Sequence, residues 1–212
     1  MSAKTEILGR VRDALGDRAT TREADYEAIA RAYDRSGTRD LHDRLRLLVE
    51  RLEGYDASVH HCRAEALPTT IGRVLEGRGK GGLVIPEDVP REWLPPALEF
   101  VPDTGLSALA LDRSEGVLTG CTVAIALTGT IVLRHAATEG RRALTLIPDY
   151  HLCVVQEDQV VETVAEGLDR ASTEPSGLLT TISGPSSTAD IEMTRIKGVH
   201  GPRTLDVILV AA

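Results

Sequence analysis

A chain of 212 residues, 42% hydrophobic and 26% charged, is sized and composed for one globular α/β domain with a sizeable core and a short appended arm. Its formal charge of −8 and 3% aromatic content exclude the usual nucleic-acid binder, which needs a basic surface to displace counterions and rings to stack on bases. Cys62, Cys121 and Cys153 are scattered without CxxC spacing, so neither a cysteine-held metal nor an iron–sulfur cluster is expected; with no secretory leader, such thiols fit a reducing cytoplasm.

Ile7, Leu8, Val11 and Leu15 fall on one helical face, with Gly16 placed to stop the helix. A polar stretch follows, then Tyr26, Ile29, Ala30 and Tyr33 repeat at helical spacing. Residues 1–37 read as an N-terminal helical arm and 38–212 as the α/β domain. The arm's apolar face suits packing on its own domain or on a second copy in a homodimer. None of these segments is apolar for long enough to span a membrane.

Leu41, Leu45, Leu48, Val49 and Leu52 mark the next helix, stopped at Gly54. A strand at Ala57–His61, a helix carrying Leu67, Ile71, Val74 and Leu75, and strands at Gly82–Ile85 and Leu98–Val101 follow. This β-α-β rhythm predicts a largely parallel sheet flanked by helices. The middle breaks it: Gly116–Thr119, Val123–Leu127, Ile131–Arg134, Ala143–Ile147 and Leu152–Val155 read as strands with no room for helices, a smaller β-rich insertion. Thr128-Gly129-Thr130 is too short for a parallel crossover and predicts a hairpin. A helix with Val161, Val164 and Leu168 inward, a strand Thr180–Ser183, a helix from Thr188 and a last strand Leu205–Val210 complete the chain.

The strongest candidate site is Ser183-Gly184-Pro185-Ser186-Ser187-Thr188-Ala189-Asp190-Ile191-Glu192. Read as a strand-to-helix turn, it directs backbone N–H groups and the positive helix end outward, with Gly184 allowing close approach and Ser186, Ser187 and Thr188 adding donors for a small anion. Such a turn is expected beyond the carboxyl ends of the sheet strands. The alternative is capping alone, with Asp190 or Glu192 completing the cap. Those two acids sit about 200° apart on a helix, at roughly 100° per residue, and do not form a carboxylate pair. His200, held by Gly201-Pro202, is a candidate proton shuttle or anion donor; its alternative is a ring locked to a backbone carbonyl. Thr128, Gly129 and Thr130 offer hydroxyls at a bend or simply a hairpin turn.

Other features carry less. Gly77-Arg78-Gly79-Lys80-Gly81-Gly82 follows a helix and precedes a strand, the reverse of a phosphate loop. His60 and His61 point to opposite faces of a strand, so one ion does not collect both, and no metal is expected. Arg141-Arg142 reads as a solvated turn.

The Ser183–Val210 string SGPSSTADIEMTRIKGVHGPRTLDVILV closely resembles the C-terminal signature of the lactate-utilization protein C (LUD) family. Ala124–Leu133, with Thr128-Gly129-Thr130, resembles a second block of that family, and Leu146-Ile147-Pro148-Asp149-Tyr150-His151 a weaker third. The resemblance implies a fold like the NagB/RpiA/CoA-transferase group. It also implies a place in a three-protein system that oxidises L-lactate to pyruvate, with iron–sulfur clusters in the other two proteins. This chain would then be the accessory component without a cofactor of its own, binding those proteins or a small anion. Many relatives carry Glu before Thr-Gly-Thr, whereas Leu127 stands here and removes that nucleophile. Leu127 counts against the alternative of a stand-alone CoA-transferase-like or sugar-phosphate-isomerase-like enzyme.

Overall fold

Period-3.6 and period-2 apolar patterns set most elements of this computed structural model, which describes residues 2–15, 22–172, 178–188, 196–197 and 201–211. The chain divides into two units, Met1–Tyr33 and Asp34–Ala212. The first holds α1 (Ala3–Leu15) and α2 (Arg22–Glu27). The helix predicted across Tyr26–Tyr33 ends earlier, because Arg31 turns back and donates to the carbonyls of Tyr26 (2.9 Å) and Ile29 (3.1 Å), its guanidinium over the Tyr26 ring.

In the second unit α3 (Leu41–Gly54) opens on Asp40, whose carboxylate accepts from Asp43 N at 2.8 Å. Then come β1 (Ser58–Arg63), α4 (Leu67–Gly77), β2 (Gly82–Ile85), β3 (Glu99–Pro102), α5 (Ala108–Asp112), β4 (Val117–Thr119), β5 (Val123–Ile125) and β6 (Thr130–Leu133). The remainder is β7 (Tyr150–Gln156), β8 (Val160–Val161), α6 (Val164–Ala171), β9 (Thr180–Ile182), β10 (Ser187–Thr188), β11 (Ile196–Lys197) and β12 (Thr204–Ala211). A six-stranded sheet in the order β1-β12-β7-β4-β2-β3 is parallel throughout. Its central strands are apolar on both faces, as a buried parallel sheet requires. Val207, Leu209, Cys153 and Val155 pack with Leu48 and Leu52 of α3, while Ile208, Val210, Leu152 and Val154 pack with Leu67, Ile71, Val74 and Leu75 of α4. The chain is thus an α/β fold with helices on both sides of a parallel sheet.

A second sheet, β8-β5-β6-β9, lies on the α3 side. The predicted hairpin is present: β5 and β6 are antiparallel, Ile125 opposite Thr130. The large-small alternation of Val123-Ala124-Ile125-Ala126 is explained by its two faces. Ala124 and Ala126 join the α3-side core, and Val123 and Ile125 meet Val132 and Ala171 on the outer side. Helix α6 carries a capping box, Thr163 Oγ1 accepting from Glu166 N and Glu166 from Thr163 N.

Three expectations are corrected. Val164 and Leu168 of α6 face outward, because the helix approaches Ile125 so closely that a Cβ on Gly167 would lie 2.5 Å from its side chain; Gly167 and Ala171 turn inward instead. Ala143–Ile147, expected as a strand, is not one: a 3-10 turn at Arg142–Thr145 buries Leu144 against Val84, Leu111 and Val117. Ser187–Thr188 pairs antiparallel with Ile196–Lys197 rather than starting a helix, so these two residues have no helix end to offer an anion. Among the described residues no helix is long and apolar enough to cross a membrane.

Candidate functional site

Strand β9 continues into the Ser183–Ser186 turn, and Ser186 N donates to the Pro202 carbonyl at 2.8 Å just before β12 begins. This one bond joins the Ser-Gly-Pro and Gly-Pro segments that the sequence separates. Gly201, at φ 124°, sits against Ser186 and the Thr145 carbonyl. Between them is a cavity of about 100 Å³, whose polar lining includes Arg142, Thr145, His151, Thr180 and Ser186. Pockets for drug-sized ligands run to roughly 300–1,000 Å³, so this space suits a molecule of a few heavy atoms.

His151 and Leu205 face each other across the β7–β12 ladder, each the second residue of its strand. The cavity therefore lies at the amino edge of the parallel sheet, not beyond the carboxyl ends. The reason is topological: β9, which delivers the turn, belongs to the small sheet, where it pairs antiparallel with β6, and is not a strand of the parallel sheet.

Arg142 is half-buried and donates from Nη1 to Thr145 Oγ1 at 3.2 Å; among the described residues no carboxylate pairs with it. It supplies the cavity's cationic side, a role opposite to the solvated turn expected of it. His151 is 1% exposed, its Nε2 2.8 Å from Thr119 Oγ1, and its buried Nδ1 has no partner among the described residues. Burial pushes its pKa down to about 4, so at neutral pH the ring is uncharged and leaves Arg142 as the lining cation. His151 lay within the weakest of the matching blocks, which was the available signal. His135 was not legible: it stands two residues after β6 at φ 60°, donates its Nδ1 proton to the Gly140 carbonyl (3.0 Å), and holds Thr180 Oγ1 at 2.7 Å from Nε2.

The sign of the His151 shift sets a pH dependence. An unfolded imidazole ionises near ~6.5, so between about 6.5 and 4 the unfolded chain binds the extra proton and stability falls as pH drops, by up to about 1.4 kcal/mol per pH unit. Urea midpoints measured from pH 7 to 4 should show this slope and His151→Gln should flatten it. Equal slopes in the two proteins would refute the assignment.

Thr128, Thr130 and Ser183 are brought together, but beside the cavity. Thr128 Oγ1 donates to Thr130 Oγ1, which is 2.8 Å from Ser183 Oγ, a hydroxyl chain across the edge of β6 and β9. Gly129 (φ 59°) abuts Arg51 and Gly184 (φ 81°) abuts Tyr55, so both glycines make room for the end of α3, and Gly184 lines the cavity as well. Ser187 and Thr188 lie in β10, outside the lining. Asp190, Glu192 and His200 lie outside the described residues. On the opposite face of the same sheet edge, Asp206 is fully buried and takes a bidentate ion pair from Arg78 (2.8 and 2.9 Å) and a bond with His60 Nε2 (3.1 Å). His60 thus has a carboxylate partner, while His61 is exposed.

The LUD domain family matches the chain over residues 108–210. The chain is similar to lactate utilization protein C from Deinococcus radiodurans, 47% identical over 164 residues that cover 76% of each chain. It is also similar to lactate utilization protein C from Bacillus velezensis, 26% identical over 69% of this chain and 67% of that one. Among solved structures it is similar to a DUF162 family protein from Deinococcus radiodurans, with a TM-score of 0.70 and 40% identity, covering 82% of this chain and 99% of that one.

Proposed function

The chain belongs to the LUD-domain family, and from that membership we propose that it acts in lactate utilization as an accessory component without an iron–sulfur cluster, holding a small carboxylate of the lactate or pyruvate type in the Arg142–His151–Ser186 cavity. The observation that carries this reading is the half-buried guanidinium of Arg142 in a cavity of about 100 Å³ among the hydroxyls of Thr145, Thr180 and Ser186. An arginine with hydroxyl donors in a small, partly dry space matches a carboxylate and an adjacent hydroxyl or keto oxygen. The cavity lies within the LUD-matching residues, and three cysteines with no CxxC run among them support the reading of a component without a cluster of its own.

The test is calorimetric titration of the protein with L-lactate and with pyruvate. A charge-assisted hydrogen bond contributes about 1.5–3 kcal/mol, so Arg142→Gln should weaken binding roughly 10- to 100-fold. The same substitution should slow growth on lactate in a strain that has no other copy, and the wild-type chain should co-purify with iron–sulfur proteins. Undiminished binding by Arg142→Gln would remove the cavity from the reading; normal lactate growth of a clean deletion strain would remove the lactate role.

A further inference from the structure

A second cavity, of about 330 Å³, opens where β4 and β7 end, and its lining includes Cys121, Thr122, Arg134, Glu139, Gln159 and Arg170. It shares no lining residue with the first cavity. Cys121 follows β4 by two residues and Gln159 follows β7 by three, so this space is at the carboxyl edge of the parallel strands, where open α/β sheets ordinarily take ligands.

Its distinguishing group is Arg134. The guanidinium Nε and Nη1 are buried and have no hydrogen-bond partner among the described residues. An arginine cannot shed its charge, and a buried charged donor left unmatched costs more than an ordinary missing bond. The nearby carboxylate does not answer it. Glu139, 4% exposed, accepts from Thr122 Oγ1 and from the backbone N–H of Arg134, and those two bonds occupy one oxygen each. Gln159 is also committed: its amide donates to the Cys121 carbonyl at 2.6 Å and its oxygen accepts from Gln156 N at 2.8 Å, which makes it a fixed wall. Arg170 stands exposed at the rim, anchored through Nη1 to the Asp158 carbonyl at 2.6 Å.

We propose that this cavity binds an oxyanion, a carboxylate or phosphate group, whose oxygens accept from Arg134 while Arg170 adds positive charge at the entrance. A bound oxyanion supplies the acceptors that the protein withholds from Arg134.

The experiment is calorimetric titration of the full-length protein with inorganic phosphate and, separately, with acetate. Saturable binding of at least one is expected to persist in Arg142→Gln, where the first cavity has lost its cation, and in that background to be weakened at least tenfold by Arg134→Met and several-fold by Arg170→Glu. Phosphate binding without acetate binding assigns a phosphoryl group, and the reverse a carboxylate. Because Arg134→Met removes a half-buried side chain, its fold is checked by circular dichroism, and Arg170→Glu on the exposed rim decides the matter where Arg134→Met does not fold. No saturable binding of either anion by the Arg142→Gln protein, or affinity left unchanged by both cavity substitutions in that background, would each overturn the proposal. Binding present in the wild type and absent in Arg142→Gln would assign the anion to the first cavity alone, so failure here is distinguishable from failure of the lactate reading.

Discussion

Asp206→Ala is expected to lower the unfolding free energy by roughly 3 kcal/mol, the low end of what breaking a buried ion pair costs. The carboxylate is fully buried in β12 and accepts two hydrogen bonds from Arg78 and one from His60. Removing it leaves those donors without their acceptor. The low end applies because the Arg78 side chain is 38% exposed and can regain water. Urea unfolding at pH 7 checks the figure, and a loss below about 1 kcal/mol, the range of an exposed pair, would mean that the pair is solvated and contributes little. The pH dependence has a definite sign. Burial pushes the Asp206 carboxyl up, and the bonds from Arg78 and His60 outweigh it, so it sits below the usual carboxylate range. Its stabilisation is complete above the unfolded value near ~3.9 and is lost as pH falls through the lower folded value. The gap between wild type and Asp206→Ala should therefore stay constant from pH 7 to about 4, the window in which His151 titrates, and close only below it.

Gly184→Ala should cost about 3 kcal/mol and also damage the first cavity. At φ 81° a side chain meets the left-handed penalty of roughly 1–2 kcal/mol, and the new Cβ would lie 2.3 Å from Tyr55 Cβ and 2.9 Å from the Tyr55 carbonyl oxygen. The carbonyl belongs to the turn that ends α3 and cannot swing away as a flexible side-chain tip would, so an overpacking cost of roughly 1–3 kcal/mol is added. Displacement of the turn would move Pro185 and Ser186, stretch the bond from Ser186 N to Pro202, and reshape the cavity edge. Lactate or pyruvate binding should fall further in Gly184→Ala than in Ser186→Ala, which removes one hydroxyl and leaves the backbone in place. Denaturant unfolding together with calorimetry tests both parts. Unchanged stability would show that Tyr55 yields and that the glycine is dispensable.

The elements that were legible are those with long, one-sided patterns. Leu41, Leu45, Leu48 and Leu52 mark α3 from its first residue, Gly54 closes it as expected, and the apolar run of β2 has the bounds expected of it. Shorter runs misled. Ala143–Ile147 is apolar enough for a strand, but five residues do not distinguish a strand from a turn that buries one leucine, and here Leu144 is that residue. Val161, Val164 and Leu168 have helical spacing, yet the close approach of Ile125 selects the face with Gly167 and Ala171. The lining of the candidate cavity was half legible. Gly184 and Ser186 were found because a Gly-Pro turn stands out among hydroxyls, whereas Arg142 looked like any surface pair of arginines and His135 had no pattern at all.

By itself, the sequence determined the α/β class, the hairpin at Thr128–Thr130, the blocks that identify the LUD family and the lack of cluster-binding cysteine spacing, because each depends on neighbours within a few residues. Only the tertiary structure decided that Ser186 meets Pro202, that Arg142 and His151 face the same small cavity, that this cavity lies at the amino edge of the sheet, and that Nε and Nη1 of Arg134 are buried with no hydrogen-bond partner among the described residues. The pairing of Asp206 with Arg78, 128 positions apart, illustrates the reason. Local spacing sets what a segment becomes, but the partner of a buried charge is chosen by strand order and register, which join residues that the linear pattern keeps apart.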